Sequence, residues 1–196
     1  MPGVREKFLK LEDMPTWEEV KLLWRFVVKA YNDKKIPLRK VVFFGLLFFS
    51  GMRLGEIIKL KKEDINLTEG TIRFEQQKKK KKVVRETIIH PEIKKYLRKY
   101  LVEVRTWLFP SIKGKDRYMD PRIAREWVYQ LTKKVLGRRI RPHAFRHAVA
   151  TKLLTEKVPL EYVRRVLGHS SYDTVRIYLN YTLRDIKEDI VEALEV

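Results

Sequence analysis

The nine-residue run "VVFFGLLFF", from Val41 to Phe49, constrains the fold of this chain more than any other stretch. A helix that spans a bilayer needs roughly 20 apolar residues, so the run is too short to cross a membrane. It is long enough for a buried helix, and the Ser50-Gly51 pair that follows is typical of a helix end. We therefore expect a helix inside a hydrophobic core, against which the rest of the chain packs.

Apolar residues at helical spacing recur along most of the remaining sequence. The segment that begins at Thr16 has the capping-box pattern with Glu19, and later helical segments end at Gly137 and Gly168. Residues 65–90 differ, because they contain short runs of β character separated by a Thr-Glu-Gly turn and by a row of lysines. The pattern predicts an α+β fold that is mainly α with a small antiparallel β-sheet.

The chain is strongly basic, with 44 Lys and Arg residues against 25 Asp and Glu residues and a formal net charge of +19. Such an excess repels itself unless a polyanion neutralises it, and nucleic acid is the commonest polyanion. A membrane surface is the alternative, but the N-terminal residues lack the hydrophobic region of a signal peptide. The absence of cysteine excludes disulfides, thiolate zinc sites and a cysteine nucleophile. We expect a cytoplasmic protein that binds nucleic acid and no membrane.

Several side chains that could take part in catalysis lie where helices are predicted to begin or end. Arg53 follows directly on the apolar helix, which favours a place at the edge of the core. His143 and Arg146 are three residues apart, so they share one face of a helix. His169 follows the glycine that ends another helix. Taken singly, each of these residues is more often a surface charge or a helix cap than a catalytic group.

The segment that follows His169 contains three tyrosines, Tyr172, Tyr178 and Tyr181. Tyr178 comes nine residues after His169, so a tyrosine on the next helix can fold back towards that histidine. Tyrosines at helical spacing are usually half-buried core residues, and this spacing alone does not identify a nucleophile.

Taken together, the arginines, histidines, lysines and tyrosine suit the cleavage of a phosphodiester without a metal. Arginine forks match phosphate oxygens and stay charged. Two arginines can neutralise the added charge of a pentacoordinate phosphorane better than they bind the ground state. A histidine can accept a phenolic proton at neutral pH, and a lysine can donate a proton to a leaving alkoxide.

In their order along the chain, these motifs resemble the catalytic domain of the tyrosine site-specific recombinases, the phage-integrase family. "GMRLGE" is similar to the family's Gly-x-Arg-x-x-Glu helix start, "HAFRH" to its His-x-x-Arg motif and "LGHS" to its Leu-Gly-His-Ser motif. The family also has a lysine on a β-hairpin and a nucleophilic tyrosine nine residues after the last histidine. The resemblance covers about residues 16–181, and it implies the tyrosine-recombinase catalytic-domain fold.

The resemblance implies a role for each matching residue. Tyr178 would attack the scissile DNA phosphate and form a 3′-phosphotyrosyl intermediate, with neither a metal nor ATP. Arg53 and Arg146 would hold the non-bridging oxygens. His143 would act as the general base, and His169 would hydrogen-bond the phosphoryl group.

The hairpin lysine of the family has more than one candidate in this sequence. Lys78 is our choice for the residue that protonates the departing 5′ oxygen, and Lys79 and Lys80 are the alternatives. Glu56 would orient Arg53 or His143 without contacting the phosphate itself. We expect the following further residues to contact the DNA backbone: Lys79, Lys80, Lys81, Lys82, Arg141 and His147.

The implied activity is the breaking and rejoining of double-stranded DNA, by subunits that associate as a dimer or tetramer on the DNA. The alternatives are a non-catalytic DNA-binding domain of the same fold and DNA relaxation like that of a type IB topoisomerase. We expect residues 1–196 to form a single catalytic domain without the family's usual N-terminal core-binding domain. Residues 182–196 would form a C-terminal helix that subunits can exchange. No cofactor and no metal are expected, and a virus-encoded or element-encoded protein would act in the host cytoplasm.

Overall fold

The computed structural model describes residues 14–78, 81–112 and 114–168, and within these ranges most residues are helical. The helices are α1 (Trp17–Asn32), α2 (Leu38–Phe49), α3 (Leu54–Ile57), α4 (Pro91–Leu101), α5 (Pro121–Leu136), α6 (Pro142–Thr155) and α7 (Leu160–Leu167). The strands are β1 (Ile65–Asn66), β2 (Thr71–Lys78), β3 (Lys81–Ile88), β4 (Pro110–Ser111) and β5 (Gly114–Tyr118). The predicted α+β class, mainly α with small antiparallel sheets, is confirmed.

Helix α2 lies at the centre of the core, as its apolar sequence predicts. All residues from Val41 to Phe48 are buried, and the helix packs against α1, α4 and α6. A helix that is apolar on every side is stable only when every side is covered. Phe43 shows this packing, because its ring meets Phe109 and Trp127 edge to face, with centroids 5.6 and 5.4 Å away. No helix in the described ranges combines the length and the apolar character needed to cross a bilayer.

Helix α1 begins with the predicted capping box. The Glu19 backbone N–H donates to the Thr16 hydroxyl at 3.2 Å, and the Thr16 N–H donates to the Glu19 carboxylate at 2.8 Å. Arg138, in the connection between α5 and α6, donates to the same carboxylate at 2.7 and 2.8 Å. A local cap thus also holds together two segments that are far apart in the sequence.

The first sheet has the strand order β1-β2-β3 and is antiparallel throughout. Phe74 pairs with Arg85, and Lys78 pairs with Lys81 at the far end of the hairpin. Ile72 and Phe74 are buried on the face that turns towards the core. A second antiparallel pair, β4 and β5, was not predicted from the sequence.

The sequence "RLGEIIKLKKEDI", from Arg53 to Ile65, predicts one short helix after α2, and the structure departs from this prediction. Helix α3 ends at Ile57, and a 3-10 turn follows at Lys62–Asp64. The Leu60 carbonyl accepts a hydrogen bond from Leu108 at 2.9 Å, and the Lys62 N–H donates to Thr106 at 2.8 Å. These pairings with a remote segment take the backbone groups that a longer helix would use.

Helices α6 and α7 pack around a second, smaller apolar cluster, which consists of Ala150, Leu154, Val163 and Leu167. Helix α7 ends at Gly168, whose φ of +61° is in the left-handed region. Glycine adopts this conformation without steric cost, so the predicted helix end is confirmed. The helices predicted at about 171–181 and from about 183 lie outside the described residues, as does the suggested exchange of residues 182–196.

Candidate active site

Arg53 and Glu56 form a closed unit at the start of α3. The Arg53 backbone N–H donates to Glu56 Oε2 at 2.7 Å, and Arg53 Nη1 donates to Oε1 of the same carboxylate at 2.9 Å. The motif therefore acts as a helix cap in which the glutamate accepts the N-cap N–H. The Arg53 side chain remains 35% exposed, so it can reach a ligand outside the core.

A second arginine, Arg85 on β3, also binds Glu56. Arg85 Nη1 donates to Glu56 Oε1 at 2.8 Å, and the side chains of Arg85 and Glu56 are 6% and 10% exposed. The guanidinium carbon lies 5.2 Å from the centre of the Phe74 ring on the neighbouring strand. Sequence reasoning missed Arg85. Its place on the inner face depends on the hairpin register, which the row of lysines does not fix.

Arg146 on α6 joins two further segments to this site. Its Nη1 donates to the Gly51 carbonyl at 2.7 Å, two residues before Arg53, and its Nη2 donates to the Leu167 carbonyl at the end of α7. Arg146 is only 2% exposed, so it is among the largest fully buried side chains in the described residues. Burial, followed by the positive charge of Arg53, lowers the pKa of Arg146 to about 9. This value is still above neutral pH, so the guanidinium stays charged.

His143 lies one helical turn before Arg146 and keeps part of its surface in contact with solvent. Partial loss of hydration lowers the pKa of His143, and the positive charges of Arg146 and Arg53 lower it further. The imidazole is therefore neutral near pH 7 and can accept a proton. Its ring meets that of His147 edge to face, with centroids 4.6 Å apart.

The site is electropositive, because Arg53 and Arg85 both bind the single carboxylate of Glu56 and Arg146 is near enough for its charge to interact with all three groups. Like charges that are partly removed from water raise each other's energy, so their grouping has a cost in stability. An anion placed between them would reduce this cost, and the guanidinium is the group best shaped to bind phosphate oxygens. The geometry therefore suits the binding of a phosphate.

A groove of about 1030 Å³ begins at Arg53 and Glu56 and runs along the sheet. Trp107 and Tyr118 form part of its wall. The Lys59 ammonium lies 5.3 Å from the Tyr118 ring, and the Lys61 ammonium lies 5.5 Å from the Trp107 ring. Neither lysine was singled out from the sequence, because each looks like an ordinary surface charge until the fold places it beside the groove.

The Phage integrase family model matches residues 16–183 of the chain. The chain belongs to this family. Among curated relatives, it is 31% identical over 183 residues to the tyrosine recombinase XerA of Pyrococcus furiosus, covering 91% of this chain and 60% of that protein. It is 28% identical over 194 residues to a tyrosine recombinase of Thermosipho africanus, covering 98% of this chain and 64% of the relative.

Solved structures of recombinases have the same fold. The crystal structure of XerA recombinase superposes with a TM-score of 0.74 at 25% identity, over 96% of this chain and 66% of the other. A pre-cleavage complex of the XerH recombinase with its difH substrate gives a TM-score of 0.70 at 24% identity, over 91% and 53% of the two chains. The chain thus spans a little under two thirds of the length of the curated relatives it matches.

The structure brings together four residues that the family motifs singled out: Arg53, Glu56, His143 and Arg146. Lys78 ends β2, and Lys81 and Lys82 begin β3, but only the backbone of these three residues is described. Arg141 is the exposed N-cap of α6, five residues before the buried arginine. Four other predicted residues lie outside the described ranges: Lys79, Lys80, His169 and Tyr178.

Proposed function

We propose that this chain is the catalytic part of a recombinase that cleaves and rejoins double-stranded DNA through a 3′-phosphotyrosyl intermediate. The observation that carries the proposal is the meeting of Arg53, His143 and Arg146 around one electropositive site. Arg146 reaches the Gly51 carbonyl, 95 residues away in the sequence, so this meeting is a product of the whole fold. DNA binding alone does not need a neutral histidine beside two arginines.

In the proposed reaction, the two arginines neutralise the phosphate. Arg53 reaches the non-bridging oxygens from the rim of the groove, and Arg146 contributes its charge from the buried side. The charge on these oxygens grows as the phosphorane forms. Fixed guanidiniums therefore stabilise the transition state more than the ground state.

The proton transfers follow from the same assignment. His143, neutral near pH 7, accepts the phenolic proton of Tyr178, and the phenolate oxygen attacks phosphorus. The bond from phosphorus to the 5′ oxygen breaks, and Lys78 donates a proton to that oxygen. His169 donates a hydrogen bond to the phosphoryl group. Attack by a second 5′ hydroxyl reverses these steps and reseals the strand without ATP or a metal.

The partner assignments rest on charge and on the relatives. The net charge of +19 and the hairpin lysines suit a long polyanion, and the XerH relative was solved bound to its difH substrate. We propose double-stranded DNA as the substrate, with Arg141 and His147 close to the backbone phosphates. Association of subunits on the DNA and a cytoplasmic location belong to the same proposal.

The test is covalent trapping on nicked duplexes whose sequence around the nick is randomised, because the target site is unknown. A cut next to the nick releases a short strand, which prevents resealing and leaves the protein attached to DNA. The adduct should form in EDTA and should be lost in Tyr178→Phe, while the matched control Tyr181→Phe keeps it. A full yield of adduct from Tyr178→Phe would refute the nucleophile. DNA binding without any adduct from the unaltered chain would favour the non-catalytic alternative.

A further inference from the structure

Arg85 is a buried cation that none of the recombinase motifs in this sequence includes. Its Nη1 donates to Glu56 Oε1 at 2.8 Å, and its Nη2 donates to the Val166 carbonyl at 2.8 Å. One flat guanidinium on β3 therefore joins the start of α3, where Arg53 is held, to the end of α7.

The end of α7 is held by two arginines at once. Arg85 donates to the Val166 carbonyl, and Arg146 donates to the next carbonyl, that of Leu167. The last carbonyls of a helix lack partners within the helix and carry partial negative charge, so cations bind there favourably. Two consecutive carbonyls with separate guanidiniums fix both the position and the direction of this helix end.

Gly168 shows how closely the guanidinium lies against the chain. A Cβ atom on this residue would be 2.0 Å from Arg85 Nε and 2.2 Å from Arg85 Cζ. Glycine is thus required both by the positive φ and by the side chain packed against it. The residue that follows in the sequence is His169, so Arg85 lies against the backbone from which that histidine departs.

We propose that Arg85 is a positioning residue of the recombinase site. It holds the Arg53–Glu56 pair and the Val166–Gly168 turn in one fixed relation, so that Arg53 and the histidine after the turn can meet the same phosphate. This inference rests on the proposed function, in which both residues act on one phosphate. Lysine cannot reproduce the link, because its single nitrogen cannot reach both of the acceptors that the two Nη atoms of the guanidinium reach.

Thermal stability alone cannot test this role, because replacing a buried ionic group by an apolar one of similar volume is often neutral or stabilising. The useful comparison is between DNA binding and the cleavage step. A misplacement of about 1 Å in a catalytic constellation lowers the rate roughly 100-fold, whereas affinity for the DNA backbone depends on many separate contacts.

The first measurement is single-turnover cleavage of the trapped substrate at saturating DNA, with the dissociation constant measured in parallel. For Arg85→Met we expect cleavage to fall roughly 100-fold while DNA affinity stays within about threefold. Arg85→Lys should recover part of the loss, because it keeps the charge and can donate to one of the two acceptors. Arg73→Met, at an exposed arginine on the neighbouring strand β2, is the matched control and should cleave at the normal rate. Cleavage by Arg85→Met at the normal rate would overturn the inference.

The second measurement is amide hydrogen exchange in the last turn of α7, which needs no catalysis. Exchange there should be faster in Arg85→Met and Arg85→Lys than in the unaltered chain, with α1 unchanged as an internal reference. Unchanged exchange at the end of α7 would overturn the positioning role. If the unaltered chain forms no adduct, the proposed function fails, and exchange still decides whether Arg85 fixes this turn. If Arg85→Met does not fold, Arg85→Lys carries both measurements.

Discussion

Glu56→Gln is the substitution that tests the charge balance of the site most sharply. The change keeps the size and shape of the side chain and removes the negative charge that the Arg53 and Arg85 guanidiniums bind and that also acts on Arg146. Glu56 accepts hydrogen bonds from Arg53 Nη1 at 2.9 Å, from the Arg53 backbone N–H at 2.7 Å and from Arg85 Nη1 at 2.8 Å. An amide has one acceptor oxygen, so it cannot satisfy the donors on both sides of the carboxylate.

The expected loss of stability follows from these contacts. A hydrogen bond to a charged group contributes about 1.5–3 kcal/mol, against about 1 kcal/mol for a neutral one. Removing one partner of a fully buried ion pair costs about 3–5 kcal/mol, but here Arg53 is 35% exposed and solvent screens part of its charge. We therefore expect Glu56→Gln to lower the free energy of unfolding by about 2–4 kcal/mol.

Urea unfolding at equilibrium measures this loss directly, as a shift of the midpoint at constant slope. Glu18→Gln is the matched control, because Glu18 pairs with Lys21 on the exposed side of α1. The control should change the free energy of unfolding by less than about 0.5 kcal/mol. If Glu56→Gln is as stable as the control, the carboxylate does not hold the arginines together, and our description of the site is wrong.

Two further predictions concern the core and the pH dependence. Gly45→Ala should lower the free energy of unfolding by about 1–3 kcal/mol despite its better helix propensity, because the new Cβ would lie 2.2 Å from Ile93 Cγ2. Adding Ile93→Leu, which moves the methyl branch of residue 93 from its own Cβ to Cγ, should recover part of the loss measured by urea unfolding. An unchanged midpoint for Gly45→Ala would contradict the close packing. The rate of cleavage at subsaturating DNA, which reports ionisation in the free protein, should fall on the acid side with a midpoint below about pH 6.5, because reduced hydration and two arginines lower the pKa of His143. A midpoint above that value, or one retained in His143→Gln, would exclude His143 as the base.

The features that the sequence predicted correctly are those that a short stretch of chain determines. The buried helix α2 follows from an apolar run that only burial can accommodate. The cap at Thr16 needs residues only three positions apart. The contact of Glu56 with Arg53, one of the two partners that the family resemblance implies, spans the same short distance. The spacing of His143 and Arg146 likewise fixes a common helix face. Such patterns are readable because the helix period sets their geometry.

The features that the sequence did not reveal depend on pairing between distant segments. Arg85 faces inward only because β2 and β3 pair Phe74 with Arg85, and a shift of one residue would turn its side chain to the other face. Helix α3 is short because Leu60 bonds to Leu108 in another part of the chain. The β4–β5 pair is so short that its alternation carries little information. In each case a contact between distant segments determines the local structure, and the propensity of the local sequence carries no information about that contact.

Mapping the residue that becomes attached to DNA is the most direct test of the central claim. Trypsin should separate the candidates, since cleavage after Arg165, Arg176 and Arg184 yields one peptide with Tyr172 and another, "IYLNYTLR", with Tyr178 and Tyr181. After nuclease trimming of the trapped adduct, fragmentation of the second peptide by mass spectrometry should place the nucleotide mass on Tyr178. Attachment at Tyr172 or Tyr181, or at any residue outside this segment, would contradict the proposed reaction.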